Sequence, residues 1–146
     1  MGEPCYDSLL LENQLCFPLY ACSREIIRRY KPLLDAIDLT YTQYIAMLVL
    51  WERQSVTVKE LGCCLFLDSG TLTPLLKKLE AKGLITRRRS EADERSLIVA
   101  LTQRGQSLRE QAAQLPEQMC QCVGLDAEEK QQLSRILRKM MEQMQR

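Results

Sequence analysis

The spacing of apolar residues changes from a period of 3.6 to a period of 2 at Gly83, and this switch constrains the fold more than any other feature of the chain. Upstream of it, Leu72, Leu75, Leu76 and Leu79 recur at 3/4 spacing. Asp68 or Ser69 stands where a helix start is capped, and Gly83 follows the last turn as a left-handed stop. The spacing predicts an amphipathic helix of about four turns. Pro74 lies beyond the first turn and removes one backbone donor, so a kink or a late helix start is expected there. Downstream, Ile85, Arg87 and Arg89 alternate with Thr86 and Arg88, and Leu97, Val99 and Leu101 alternate on the return. That pattern predicts a β-hairpin with its tip at Ser90 to Ser96, which holds Glu91, Asp93, Glu94 and Arg95.

The polar face of the predicted helix carries Ser69, Thr71, Thr73, Lys77 and Lys78. Such groups bond base edges and phosphates and have no obvious catalytic use. Between Leu76 and Ser90 there are six basic residues to one acidic, a net of +5 in a chain whose total is +1. A charge run alone is usually a solvated face. Here it follows a second short helix, where Thr57 and Glu60 form a capping-box pattern ahead of Val58, Leu61 and Leu65. Helix, tight turn at Phe66 to Asp68, helix and hairpin is the order of a winged helix-turn-helix, with DNA as its partner.

At 146 residues and 46% hydrophobic content the chain has enough apolar surface for one domain with a real core. Its longest apolar run, Tyr44 to Trp51, is eight residues, against about 20 for a membrane span. Glu3, Asp7 and Glu12 interrupt the start, so neither a membrane segment nor a signal peptide is expected, and the location is read as cytoplasmic. Seven cysteines cannot all pair internally, and a reducing compartment keeps them as thiols. The chain has no histidine, which excludes His-based triads, His-containing zinc sites and His general bases. No nucleotide loop or repeat is present, and no cofactor or metal is expected.

Residues 1 to about 8 carry little pattern and read as a loose arm. From Leu15, the positions Leu15, Leu19, Cys22, Ile26 and Tyr30 share one face of a long first helix, with a bend or break expected at Pro32. Asn13 is a plausible cap, which would place Cys16 in the first turn, among N–H groups lacking intrahelical partners, where a thiolate is favoured. On local grounds alone a cysteine there is ordinarily a small buried hydrophobe. Thr40 and Gln43 open a helix through Trp51, and Thr102 caps the helix after the hairpin, in which a bend is expected at Pro116. Leu108, Ala112, Leu115 and Met119 form its apolar stripe; Cys122 continues the stripe, and Cys120 points to its side. Asp126 and Glu129 start the last helix, whose stripe from Leu133 to Met144 has to bury against something. Adjacent Cys63 and Cys64 are poor disulfide partners and read as packing thiols.

Two groups of these residues carry a family resemblance. LDSGTLTPLLKKLEAKGLI, with Arg88, Asp93, Glu94, Arg95 and the Leu101–Thr102 pair, resembles the MarR family of dimeric winged-helix repressors. NQLCFPLYACSREIIRRYKPLL, followed by LTYTQYIAMLVLWE, resembles its organic-hydroperoxide-sensing, OhrR-like branch. The resemblance implies a mainly α fold with a small β-hairpin wing, in which about 9–37 and 102–145 build the dimer and about 41–101 form the DNA-binding part of a single 1–146 domain. It implies Ser69, Thr71 and Thr73 in the major groove; Lys77, Lys78, Arg87 and Arg88 are read as further DNA-binding residues. Arg95 would enter the minor groove, oriented by Asp93, and an arginine suits the negative potential of a narrow groove.

In that branch the cysteine of the LCF motif, here Cys16, is the peroxide sensor. Tyrosines that bond its sulfur map to Tyr30 and Tyr41, and Tyr20 would lie close by. Apolar Phe17, Leu19 and Met47 would favour organic hydroperoxides. Two-cysteine members resolve the sulfenic acid with a thiol near the partner's C-terminal helices, for which Cys120 and Cys122 are the candidates; Cys120 is preferred because Cys122 falls on the buried-looking stripe. The expectation is therefore a homodimeric repressor of a pseudo-palindromic operator, released by organic hydroperoxides. Alternatives are a MarR-type sensor of small aromatic ligands or another thiol-reactive signal and, from another class, a thiol peroxidase or thiolate metal-binding protein.

Overall fold

The computed structural model describes residues 6–145, so Cys5 and most of the expected N-terminal arm lie outside the described residues. Within them the order is α1 (Cys16–Asp35), α2 (Tyr41–Arg53), β1 (Ser55–Thr57), α3 (Val58–Leu65), α4 (Ser69–Ala81), β2 (Ile85–Arg89), β3 (Leu97–Leu101), α5 (Gln103–Ala112), α6 (Leu115–Val123) and α7 (Ala127–Met144). The fold is mainly helical with a small sheet, as the switch of period predicts. The chain divides into two compact units after Gln114.

The first unit is built around α2. Ala46, Met47 and Leu50 have no exposed surface, and Leu61 of α3, Leu72, Leu76 and Leu79 of α4 and Val99 of β3 are equally buried. Met47, expected beside the sensing thiol, is thus a core residue: its position in the middle of α2 turns it inward with Leu50. Both capping boxes of this unit form. Thr40 accepts from the Gln43 N–H and Gln43 from the Thr40 N–H, and Thr57 and Glu60 reciprocate in the same way. Thr102 caps α5 by accepting from the Gly105 N–H at 3.0 Å.

The hairpin acquires a third strand that the sequence pattern does not reveal. β1 pairs antiparallel with β3 (Ser55↔Ala100, Val56↔Val99, Thr57↔Ile98), and β2 pairs with the other side of β3 from Ile85↔Leu101 to Arg89↔Leu97. The order β1-β3-β2 leaves β2 at an edge. The expected break at Pro32 and late start at Pro74 are corrected, since α1 runs through Pro32 and α4 runs through Pro74 from a start at Ser69. Arg28 and Gly70, whose carbonyls lose an intrahelical donor, are both exposed, so water can satisfy them. Pro116 instead stands at the second residue of a new helix, α6, where a missing N–H costs nothing.

In the second unit, Asp126 and Glu129 form the capping box of α7, and Leu115 and Met119 of α6 are buried. No residue of α7 is buried; Leu133, Ile136, Met141 and Met144 of its apolar stripe lie open. Among the described residues no helix is long and apolar enough to cross a membrane.

Candidate functional site

The helix-turn-helix turns at Phe66, which takes a left-handed conformation (φ 56°), and Asp68 caps α4 by accepting from the Thr71 N–H at 2.7 Å. That bond, followed by the Thr71 hydroxyl, holds the Asp68 carboxyl below its ordinary range. Past the cap, Ser69, Thr71, Thr73, Lys77 and Lys78 are all exposed on one side, while Leu72, Leu75, Leu76 and Leu79 are buried on the other. The Thr73 hydroxyl donates 2.8 Å back to the Ser69 carbonyl, so it presents lone pairs outward and acts as an acceptor. Lys82, at the end of α4, ties the helix to the α1–α2 turn: its ammonium donates to the Asp38 carbonyl and to Gln43 Oε1 (3.3 Å) and pairs with the Asp38 carboxylate (3.2 Å).

In the wing, Arg88 and Arg95 are exposed, and Arg89 donates 3.1 Å to the Glu94 carbonyl. Asp93 fixes the tip through the backbone. One carboxylate oxygen accepts from the Arg95 N–H (3.1 Å) and the other from the Ser96 hydroxyl (2.9 Å), which keeps its carboxyl below the usual range. The expected orientation of Arg95 by Asp93 is therefore an orientation of its main chain. Arg87, expected at DNA, is engaged with Glu80 of α4: Nε and Nη2 donate to Oε2 at 3.1 and 2.8 Å, and the Arg87 N–H donates to Oε1 at 3.2 Å. Glu80 enters the charge count as the single acid of the basic run, but the count does not show which cation it engages. A glutamate seven residues before an arginine, across a helix-to-strand turn, is its only signature.

Cys16 is the first residue of α1 and is exposed. Its neighbour Leu15 precedes the helix without a side-chain cap, and Asn13, the expected cap, donates its amide to the Asp7 carbonyl at 2.7 Å within a pair of 3-10 turns, Asp7–Leu9 and Leu11–Asn13. Tyr20 lies one turn after Cys16, with the Arg24 guanidinium 5.4 Å from its ring centre and 3.4 Å from its hydroxyl. Tyr30 and Tyr41 come together with ring centres 5.2 Å apart, and Tyr44 joins them at 5.7 and 6.4 Å. Burial, with a smaller contribution from Tyr41, pushes the Tyr44 phenol up and keeps it protonated. Cys16 and Tyr30 share one helix, however, and fourteen residues at 1.5 Å each separate them by about 21 Å. One chain thus builds the thiol and the tyrosine pair but does not bring them together.

Beside Tyr41, a groove of about 240 Å³ is lined by Ile27, Arg28, Lys31, Leu34, Leu39 and Thr40 among others. Cys120 and Cys122 are both exposed, so the preference for Cys120, which rested on a buried Cys122, loses its basis: Cys122 stands in the last turn of α6, past the buried Leu115 and Met119. Cys22 and Cys63 are exposed as well, and Cys64 is half-buried.

A model of the transcriptional regulator SarA/Rot family matches residues 28–112. The organic hydroperoxide resistance transcriptional regulator of Bacillus subtilis (strain 168) is 57% identical over 114 residues, 78% of each chain. Among solved structures, reduced AbfR bound to DNA superposes with a TM-score of 0.81 at 33% identity, covering 96% of both chains. Disulfide-formed AbfR gives 0.65 at 36% identity, covering 92% of this chain and 95% of that one. AbfR is a protein of Staphylococcus epidermidis.

Proposed function

This chain belongs to the SarA/Rot family of transcriptional regulators, with the MarR-like winged helix, and from that we infer that it is a redox-sensing repressor. It binds a pseudo-palindromic operator as a reduced homodimer and leaves it when an organic hydroperoxide oxidises Cys16. The observation that carries this reading is the 57% identity with a regulator of organic hydroperoxide resistance. It acts on DNA in the cytoplasm, as a switch and without catalytic turnover.

The residues fit the parts of such a switch. Ser69, Thr71, Thr73, Lys77 and Lys78 face the major groove, Arg88 the backbone, and Arg95 the minor groove from a tip set by Asp93. Two copies must present their α4 helices about 34 to 36 Å apart to meet successive half-sites. Residues 9–37 and 102–145 form the dimer, and the open apolar stripe of α7 supports burial against a second copy. Dimerisation also answers the 21 Å gap: Tyr30 and Tyr41 of one protomer serve Cys16 of its partner, with Tyr20 beside it.

The Cys16 thiolate attacks the O–O bond, the alkoxide leaves and takes a proton as an alcohol, and the sulfur becomes a sulfenic acid. A thiol of Cys120 or Cys122 from the partner then displaces water and closes an intersubunit disulfide. Phe17 and Leu19 favour an organic oxidant. That AbfR is known both reduced on DNA and in a disulfide form supports a switch worked by the bond formed.

The test is binding of the reduced protein to its own upstream DNA before and after an organic hydroperoxide, alongside Cys16→Ser. Release by the wild type only is the expected result; release by both, or by neither, would sink the sensor reading. A sensor of small aromatic ligands is the second reading, favoured by the groove beside Tyr41. At about 240 Å³ it is smaller than the roughly 300 Å³ at which ligand pockets usually begin.

A further inference from the structure

Glu80 sits in the last turn of α4, where a negative charge opposes the helix dipole and a cation would be the stabilising choice. Its carboxylate is accounted for by Arg87. The strand that carries Arg87 is the edge of the sheet, and the Ser90 N–H bonds across to the Ser96 carbonyl. Because antiparallel ladders alternate, Thr86 and Arg88 then point their N–H groups at β3, whereas Arg87 points its N–H at the open edge. Glu80 takes that edge N–H with one oxygen and the guanidinium of the same residue with the other. The Arg87 side chain is only 21% exposed and Glu80 39%, so the pair is shielded compared with the surface ion pairs of α1. Three donors of one residue on one carboxylate fix both the distance and the rotation of the wing strand against α4.

We propose that Glu80 is a positioning residue of the DNA interface, which holds the wing at a fixed attitude to α4 through Arg87, and that Arg87 acts on the protein and not on a phosphate. The proposal rests on the winged-helix reading above. It sets wing and helix to span adjacent grooves together, so its loss weakens operator binding more than general attraction to DNA.

Charge and geometry predict opposite signs for Glu80→Gln. Removing an anion beside DNA and releasing Arg87 would tighten binding and steepen its salt dependence by about one phosphate contact. Loss of the brace weakens operator binding by about tenfold, the worth of a charge-assisted hydrogen bond, and spares non-operator DNA. Arg87→Lys keeps the cation without the fork; the brace predicts a loss like that of Glu80→Gln and an unchanged salt slope. The double variant should be no worse than either single one. Tighter binding by Glu80→Gln, wild-type binding by Arg87→Lys, or equal losses on operator and non-operator DNA would overturn the proposal. Without DNA, the Arg87 amide should resist hydrogen exchange in the wild type and lose that protection in Glu80→Gln; no difference would refute the brace itself. If the wild type failed to bind DNA at all, the DNA-binding reading and the role at DNA would both fall, and the exchange measurement would still report the brace.

Discussion

The indole Nε1 of Trp51 donates a buried 2.8 Å hydrogen bond to the carbonyl of Gly105, joining α2 to the first turn of α5 across 54 residues of sequence. A Cβ on Gly105 would run into the Leu84 carbonyl oxygen and lie 2.7 Å from Leu101 Cδ1, so this crossing closes only over glycine. Gly105→Ala should destabilise the fold by about 1 to 3 kcal/mol or more, as overpacking does. Trp51→Phe removes the buried indole donor and leaves the Gly105 carbonyl only its place in the α5 ladder, and should cost about 0.5 to 1.5 kcal/mol. Denaturant melts of the two variants test this; wild-type midpoints would show that α5 does not depend on the crossing.

The Asp68 and Glu60 carboxyls are both held below their ordinary values, first by backbone N–H groups, of Thr71 and Thr57 respectively. A lowered folded pKa gives stability that is complete above the ordinary carboxylate range, about pH 4, and is lost as pH falls through the folded value. Wild-type protein should therefore melt above Asp68→Asn near neutrality, and the two curves should converge under acid. A gap that stayed constant with pH would remove the charge from the cap's contribution.

Arg95 and Arg88 are exposed and have separate tasks in this account. Arg88→Ala should weaken binding to all DNA alike and reduce the salt slope by about 1. Arg95→Ala should weaken the operator most where its minor groove is narrow, and Asp93→Ala should reproduce part of that loss by loosening the tip backbone. Binding titrations at several salt concentrations separate these outcomes; identical behaviour of Arg88→Ala and Arg95→Ala would contradict the division.

In the proposed switch one of Cys120 and Cys122 supplies the second sulfur, so Cys120→Ser and Cys122→Ser should between them abolish a hydroperoxide-induced covalent dimer. Non-reducing gels of the single and double variants test this. A covalent dimer surviving in the double variant would move the resolving thiol elsewhere.

Most of the helical frame was legible because its signals are local. A threonine or aspartate three residues before a glutamine or glutamate marked the starts at Thr40, Thr57 and Asp126, and each forms both of its bonds. β1 was not legible: three residues, Ser55–Thr57, become a strand only because β3, some forty residues on, offers an edge. Pro32 looked like a bend or break and Pro74 like a kink or late start because sequence cannot show that the orphaned carbonyls belong to exposed residues. For Arg87 its charge was visible, but not the glutamate that occupies it. In the thiol site the residue types could be read, and the long helix expected from Leu15 through Tyr30 already implied their separation, but the ring contact of Tyr30 with Tyr41 was not legible.

The proposed sensor joins groups of two chains, and that separation offers its most direct test. Heterodimers can be prepared from one Cys16→Ser chain and one Tyr30→Phe/Tyr41→Phe chain, and the oxidation rate of the remaining Cys16 followed by mass spectrometry. If tyrosines serve the partner's thiol, that Cys16 faces an intact pair and should react at the wild-type rate, several-fold faster than in the Tyr30→Phe/Tyr41→Phe homodimer. A rate equal to that of the homodimer would place thiol and tyrosines in one chain and contradict the account.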